Sequence, residues 1–120
     1  MRKHLKSQEH AWKGLLESIN DPRNRNLRIQ LVGLIIVLIT SVILNISSIE
    51  LAVILICSAG VIALELMNNA IEELADFITR EHHHSIRKVK DIAAAAVLIW
   101  ALFSIIIGVL IFLPKLINLI

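Results

Sequence analysis

The chain is short, strongly apolar and poor in aromatic residues. Its 120 residues allow one domain, 57% of them are hydrophobic, and the mean hydropathy of +0.77 lies well above that of soluble globular proteins. Cys57 is the only cysteine, which excludes an intrachain disulfide, and the net charge of +2 gives no reason to expect a nucleic-acid partner. These properties favour aliphatic helices that face lipid.

An amphipathic helix is predicted over residues 4–19. Its apolar residues recur at helical spacing and form one stripe. The stripe consists of Leu5, Trp12, Leu15, Leu16 and Ile19. Pro22 disfavours helix at the preceding residue, so the helix is expected to end just before it. An amphipathic helix of this kind is expected to lie on the membrane surface, where its basic residues favour anionic headgroups.

Three membrane-spanning helices are predicted to follow. Ile29–Ile49 holds 21 residues without a charge and Ile92–Pro114 holds 23, and either run reaches about 30 Å as a helix. Between them, Leu51–Leu64 has only 14 uncharged residues, so its helix must continue through Glu65 into a polar extension. The predicted spans are 29–48, 50–79 and 91–114.

The positive charges predict the orientation of these helices. Residues 1–28 hold seven Lys or Arg, residues 77–91 hold four, and the loop between the first two spans holds none. The positive-inside rule therefore places the N-terminus and the 77–91 loop in the cytoplasm and the C-terminus outside. The fold class predicted is all-α and integral to the membrane, with the polar chemistry on the cytoplasmic side.

A polar stripe ends the middle span. Glu65, Asn68, Glu72 and Asp76 are spaced i, i+3, i+7 and i+11, which puts them on one face of a helix. The stripe is either an acidic, amide-lined wall of a site or the ordinary polar end of a helix that leaves the bilayer. Intramembrane acids are costly unless they are used, so Glu65 is predicted as a general base. Glu72, two turns further on, is placed to hold a hydrated Mg²⁺ together with substrate phosphates.

The next loop adds cations to this wall. Lys90 could neutralise a phosphate, whereas Asp91 either joins the site or caps the third spanning helix. Three adjacent histidines, 82–84, point in different directions on a helix, which favours a solvated or nucleotide-contacting loop over a transition-metal site. A base, a metal carboxylate and nearby cations suit phosphoryl transfer to a lipid hydroxyl. No G-x-x-x-x-G-K-[ST] motif is present, which excludes a P-loop kinase.

A different class of protein accounts for part of the same pattern. In a non-enzymatic membrane oligomer the acidic stripe would line a pore, and the histidines would gather an ion or metal. This reading explains Glu65 and Asp76 but gives no reason for Asn68 and Lys90 beside them.

Three motifs together resemble the bacterial diacylglycerol kinase and undecaprenol kinase family. They are ELMNNAIEELAD at 65–76, EHHH at 81–84 and KDIAAAAVL at 90–98. The resemblance is close over about residues 60–113, and WKGL at 12–15 and NLRIQ at 26–30 extend it over nearly the whole chain. It implies a small lipid kinase of the bacterial inner membrane, a homotrimeric helical bundle that uses ATP and Mg²⁺. Its active sites would lie between subunits and face the cytoplasm.

The resemblance also implies roles for individual residues. Glu65 would be the general base and Glu72 a metal ligand. The residues implied to hold Mg-ATP are Asn68, Glu72, Glu81, His83, Lys90, Asp91, His10 and Lys3. Arg28, together with Trp12 on the surface helix, is the candidate contact with the lipid.

One position departs from the family pattern. The family usually has a second metal-binding glutamate shortly before the arginine that corresponds to Arg28, and Asn24 stands there instead. Asp21 is the nearest acid and the candidate replacement, the alternative being a weakened site in a degenerate, non-catalytic member. The C-terminal stretch IIGVLIFLPKL looks more like the undecaprenol kinases, but both lipids present a hydroxyl at the interface, so the chemistry does not choose between them.

Overall fold

The computed structural model describes residues 1–120 and consists of four α-helices without strands. The helices are α1 (Arg2–Asn20), α2 (Arg25–Ile43), α3 (Ser48–Ile78) and α4 (His84–Leu119). The last three are each long and apolar enough to cross a membrane. The predicted all-α class, with three spanning helices after an N-terminal helix, is confirmed.

The exposed surface of the chain is mostly apolar. Only seven residues are buried, and large aliphatic side chains are exposed along α2, α3 and α4. In α1 no residue is buried: Leu15 and Ile19 are half-buried, whereas Leu5 and Trp12 are 60% and 66% exposed, so the rest of the chain leaves much of the apolar stripe of this helix uncovered. Such a surface is stable where lipid or another subunit covers it.

The turn between α2 and α3 is set by two short-range features. Asn45 adopts φ 50°, a left-handed conformation that asparagine tolerates, and α2 ends before it, five residues earlier than the predicted span. Ser47 then caps α3: its hydroxyl accepts from the backbone N–H of Glu50, and the Glu50 carboxylate accepts from the backbone N–H of Ser47, both at 3.1 Å.

The helix α4 is longer at both ends than the predicted span. Nδ1 of His83 accepts from the backbone N–H of Ser85 at 3.2 Å and caps the helix there. Asp91 is consequently the eighth helical residue, and the expectation that it caps this helix is wrong. At the other end the helix runs through Pro114 to Leu119, although proline removes a backbone donor.

The helices α3 and α4 form an antiparallel hairpin that is fastened at three levels. In the middle, the indole Nε1 of Trp100 donates to the backbone carbonyl of Cys57 at 3.0 Å. At one end Lys90 pairs with Asp76, and at the other Lys115 pairs with Glu50 at 3.2 Å. The hairpin therefore holds the polar end of α3 in a fixed register against the start of α4.

Candidate active site

A buried carboxylate lies within the apolar part of α3. Glu65 is 4% exposed, and its Oε2 accepts a hydrogen bond of 3.0 Å from Nε2 of Gln30 on α2. The motifs assigned no role to Gln30, although it is the last residue of the NLRIQ stretch. The available signal was a single amide near the start of an uncharged run, a position where a polar side chain is expensive without a partner.

Three buried polar atoms close to this pair have no hydrogen-bond partner within the chain. They are Oε1 of Gln30, Oδ1 of Asn68 and Nδ2 of Asn69. Asn68 is only 8% exposed, one turn beyond Glu65 on the same face. Buried polar atoms without partners are rare in native proteins and call for an explanation, which a ligand or a neighbouring subunit would supply.

Further along the same face the stripe meets α4. Glu72 is exposed, and Asp76 accepts from Nζ of Lys90 at 2.5 Å. The structure thus brings Lys90 to the polar stripe, as predicted, but its ammonium group is already paired with a carboxylate. The two side chains are 29% and 38% exposed, so a phosphate could reach them.

The turn between α1 and α2 is built around Arg28. Its guanidinium donates to the backbone carbonyls of Ile19, Asp21 and Pro22 at 3.0, 2.7 and 3.3 Å. Asn24 adds a hydrogen bond from its side-chain amide to the carbonyl of Ser18 at 3.0 Å. Arg28 and Asn24 therefore satisfy the carbonyls at the end of α1, a structural task that the motif analysis did not assign to them.

Both oxygens of the Asp21 carboxylate are engaged with Arg23. Oδ2 accepts from Nη2 at 2.8 Å, and Oδ1 accepts from Nε at 3.1 Å and from the backbone N–H at 2.9 Å. The side-chain hydrogen bond to Arg23 is the largest cause that lowers the pKa of Asp21 from 3.8 to about 2. Asp21, the predicted metal ligand, is thus ionised, but both of its carboxylate oxygens are already hydrogen-bonded to Arg23.

A polar cavity of about 310 Å³ separates this turn from α3. Asp21 and Asn24 line it on one side, and Asn69 and Glu73 line it on the other. Glu72 is not among the lining residues, so within one chain the structure brings Asp21 towards Glu73 instead.

The remaining predicted residues are exposed and separate from the Glu65–Gln30 pair. Lys3, His10 and Trp12 lie on the exposed surface of α1. Glu81 lies in the loop after α3, where His83 caps α4, and Asp91 pairs with Arg87 at 3.3 Å. No hydrogen bond or ion pair joins these residues to Glu65 within one chain.

An apolar cavity of about 340 Å³ lies between α2, α3 and α4. Gln30, the hydrogen-bond partner of Glu65, is one of its lining residues, and most of the wall is hydrophobic. Gly33 and Gly108 contribute no side chain to the wall, and added Cβ atoms there would meet nothing within 4 Å. This cavity has the chemistry of a site for hydrocarbon.

The donor set around the stripe suits a hard cation that keeps most of its water. The chain has no group of three or more His, Cys, Asp or Glu that could hold a metal ion. Mg²⁺ commonly uses one or two carboxylates plus the phosphates of a substrate, and the exposed Glu72 carboxylate and the unpartnered Oδ1 of Asn68 are oxygen ligands of that type.

A buried carboxylate, candidate oxygen ligands and cations at the polar end of membrane-spanning helices are the features expected of an integral-membrane lipid kinase. The chain matches the family model for prokaryotic diacylglycerol kinases over residues 9–112. It is 40% identical to an undecaprenol kinase from Bacillus subtilis over 116 residues, covering 97% of this chain and 93% of that protein. It is 34% identical to a diacylglycerol kinase from Synechocystis over 116 residues, 96% of this chain and 65% of that protein. The chain belongs to the prokaryotic diacylglycerol kinase family, whose members are lipid kinases that use ATP.

Proposed function

We propose that the chain transfers the γ-phosphoryl group of ATP to the hydroxyl of a membrane lipid, with Glu65 as the general base. The observation that carries this proposal is a carboxylate with 4% exposure that is hydrogen-bonded to Gln30, a residue that lines an apolar cavity. A base in that position is proposed to contact a lipid hydroxyl at the membrane–water interface, which ATP reaches from the aqueous side.

The chemical step needs one proton acceptor and no covalent intermediate. The lipid hydroxyl oxygen attacks the γ-phosphorus, and a new O–P bond forms as the bond to the β–γ bridging oxygen breaks. The departing ADP keeps that electron pair, and the hydroxyl proton passes to the Glu65 carboxylate, which later releases it to water. Positioning and charge stabilisation supply most of the catalysis in such transfers.

Glu72 and Asn68 are proposed to hold Mg²⁺ together with the phosphates of ATP. When bound, the ion supplies charge neutralisation on the transferring phosphoryl group. Lys90 is proposed to leave its ion pair with Asp76 and to contact a phosphate of ATP instead. Asp21 as a second ligand stays a prediction, and that role would require its release from Arg23.

The lipid is proposed to be undecaprenol, with diacylglycerol as the second candidate. The similar Bacillus protein carries the name undecaprenol kinase, with 93% of its length covered.

We further propose a homotrimer in the bacterial inner membrane, with sites between subunits that face the cytoplasm. The apolar surface of α2–α4 and the absence of buried residues in α1 support assembly, because a lone chain buries only seven residues. In this assembly Lys3, His10, Glu81, His83 and Asp91 complete the nucleotide site, while Arg28 and Trp12 lie near the lipid.

The test is transfer of label from γ-labelled ATP in mixed micelles with Mg²⁺. Undecaprenol and diacylglycerol are offered separately to the wild type, to Glu65→Gln and to Glu50→Gln. Glu50 is a matched control because it is a glutamate on the same helix at the opposite end, where it pairs with Lys115. Loss of a general base is expected to cost on the order of 10²- to 10⁴-fold in kcat, whereas Glu50→Gln is expected to keep its activity.

The outcomes separate the alternatives. Label in one lipid that Glu65→Gln abolishes supports the kinase and selects its substrate. Folded protein that binds ATP but labels neither lipid would indicate a degenerate site. An equal loss of activity in Glu65→Gln and in the control variant would refute the role of Glu65 as the general base.

A further inference from the structure

We propose that Gln30 is a positioning residue that orients the general base Glu65 from the neighbouring helix. This inference rests on the proposed function and assigns a role to the last residue of the NLRIQ stretch, for which the resemblance implied none. Its basis is the 3.0 Å hydrogen bond between Nε2 of Gln30 and Oε2 of Glu65, which joins α2 to α3 in the apolar part of the molecule.

Gln30 is the only hydrogen-bond partner that Glu65 has in the chain. No lysine, arginine or histidine forms an ion pair with Glu65, although the carboxylate is 4% exposed. A buried carboxylate needs hydrogen bonds to compensate its lost hydration, and one with a single partner has its direction set by that partner.

The second amide atom of Gln30 explains why a glutamine suits this position. Oε1 of Gln30 is buried without a hydrogen-bond partner, which is energetically unfavourable while Glu65 is a carboxylate. After the proton transfer Glu65 is a carboxylic acid and becomes a donor. A half-turn of the amide then lets Oε1 accept from that acid, so one side chain serves the base before and after it takes the proton.

A purely structural role would look different in solution. If the hydrogen bond only fastened α2 to α3, removing it would lower stability and would lower activity whatever group stood at position 65. If Gln30 acts through Glu65, its removal lowers kcat only while the carboxylate is present. KM for ATP is expected to stay unchanged, because the side chain of Gln30 is hydrogen-bonded to Glu65 and to none of the residues proposed to hold the nucleotide.

The experiment is a double-mutant cycle of Gln30→Met with Glu65→Gln. Methionine keeps the length of the side chain and removes both polar atoms, and Thr40→Val is a matched control on α2, since the Thr40 hydroxyl bonds only to the carbonyl of Ile36 in its own helix. We expect Gln30→Met to lower kcat roughly tenfold to a hundredfold with Glu65 present and less than about twofold in Glu65→Gln. Thr40→Val is expected to keep its kcat, and melting in detergent is recorded for each variant.

Two results would overturn the inference without touching the proposed function. One is a Gln30→Met enzyme with wild-type kcat; the other is an equal loss in both backgrounds that accompanies a lower melting temperature. Should Gln30→Met fail to fold, Gln30→Asn keeps the amide but shortens its reach, and the same non-additivity with Glu65→Gln is expected. A wild type that labels no lipid would instead refute the proposed function.

Discussion

Gly60 is the position where the α3–α4 hairpin tolerates no side chain. A Cβ atom built there would lie 2.1 Å from Cε2 and 2.2 Å from Nε1 of Trp100. The neighbouring atoms belong to a rigid indole ring that is fastened to the carbonyl of Cys57, so a rotamer change cannot relieve the contact without breaking that hydrogen bond. Gly60→Ala is therefore expected to force α3 and α4 apart.

The size of the effect follows from these distances. Carbon atoms pack best at about 3.5 Å, so the ring must retreat by about 1.4 Å from the 2.1 Å contact. That shift stretches the 3.0 Å hydrogen bond from Trp100 to Cys57 beyond bonding distance. Overpacking costs about 1–3 kcal/mol and a lost hydrogen bond about 1 kcal/mol, which predicts a destabilisation of about 2–4 kcal/mol.

Gly108→Ala is the control, because a Cβ atom at Gly108 meets nothing within 4 Å. Any general effect of replacing a helical glycine by alanine appears in this variant and can be subtracted. The assay is reversible unfolding in detergent micelles, with Gly60→Ala/Trp100→Leu as a rescue that removes the ring. A Gly60→Ala protein as stable as Gly108→Ala would refute the packing argument.

Two further predictions concern the turn between α1 and α2. The carboxyl of Asp21 is expected to titrate with a pKa of about 2, as its side-chain hydrogen bonds to Arg23 favour the ionised form. The ionised carboxylate then stabilises the fold fully above about pH 4, and this stabilisation is lost as the pH falls towards 2. The carbon-13 chemical shift of the Asp21 carboxyl measures the titration. A titration midpoint that Arg23→Ala does not raise would contradict the prediction. Arg28→Lys keeps the charge but loses the fork that reaches three carbonyls, and it is expected to destabilise the protein by about 1–3 kcal/mol in thermal unfolding. Unchanged stability with a raised KM for lipid would instead favour direct lipid contact.

The long elements were predictable because their signal is local. An uncharged run identifies a membrane-spanning helix, and helical spacing identifies the residues on one face of it, regardless of how the helices pack against one another. The three spans and the shared face of Glu65 and Asn68 could therefore be predicted from the sequence. The contact between Gln30 and Glu65 depends on how α2 meets α3, which spacing within one helix does not contain.

The same reason explains the helix ends and the paired cations. The start of α4 depends on the cap by His83, a residue that the motif assigned to nucleotide. Lys90 was predicted to neutralise a phosphate, and tertiary packing places Asp76 against it, a contact that the motifs did not predict.

This pairing makes Asp76 a competitor of the nucleotide for Lys90, and the competition can be measured. The ammonium and the carboxylate are partly exposed, and such a pair contributes about 0.2–1 kcal/mol, so Asp76→Asn is expected to tighten binding of a non-hydrolysable Mg-ATP analogue roughly 1.5- to fivefold. Lys90→Met is expected to weaken the same binding.

Lys115→Met is the matched control for the Lys90 variant. It breaks the corresponding pair with Glu50 at the far end of the same two helices and should leave the affinity unchanged. Calorimetric titration decides between the two roles of Asp76. If Asp76→Asn weakens binding as Lys90→Met does, the carboxylate orients the lysine for phosphate, because a competitor's removal can only release its target.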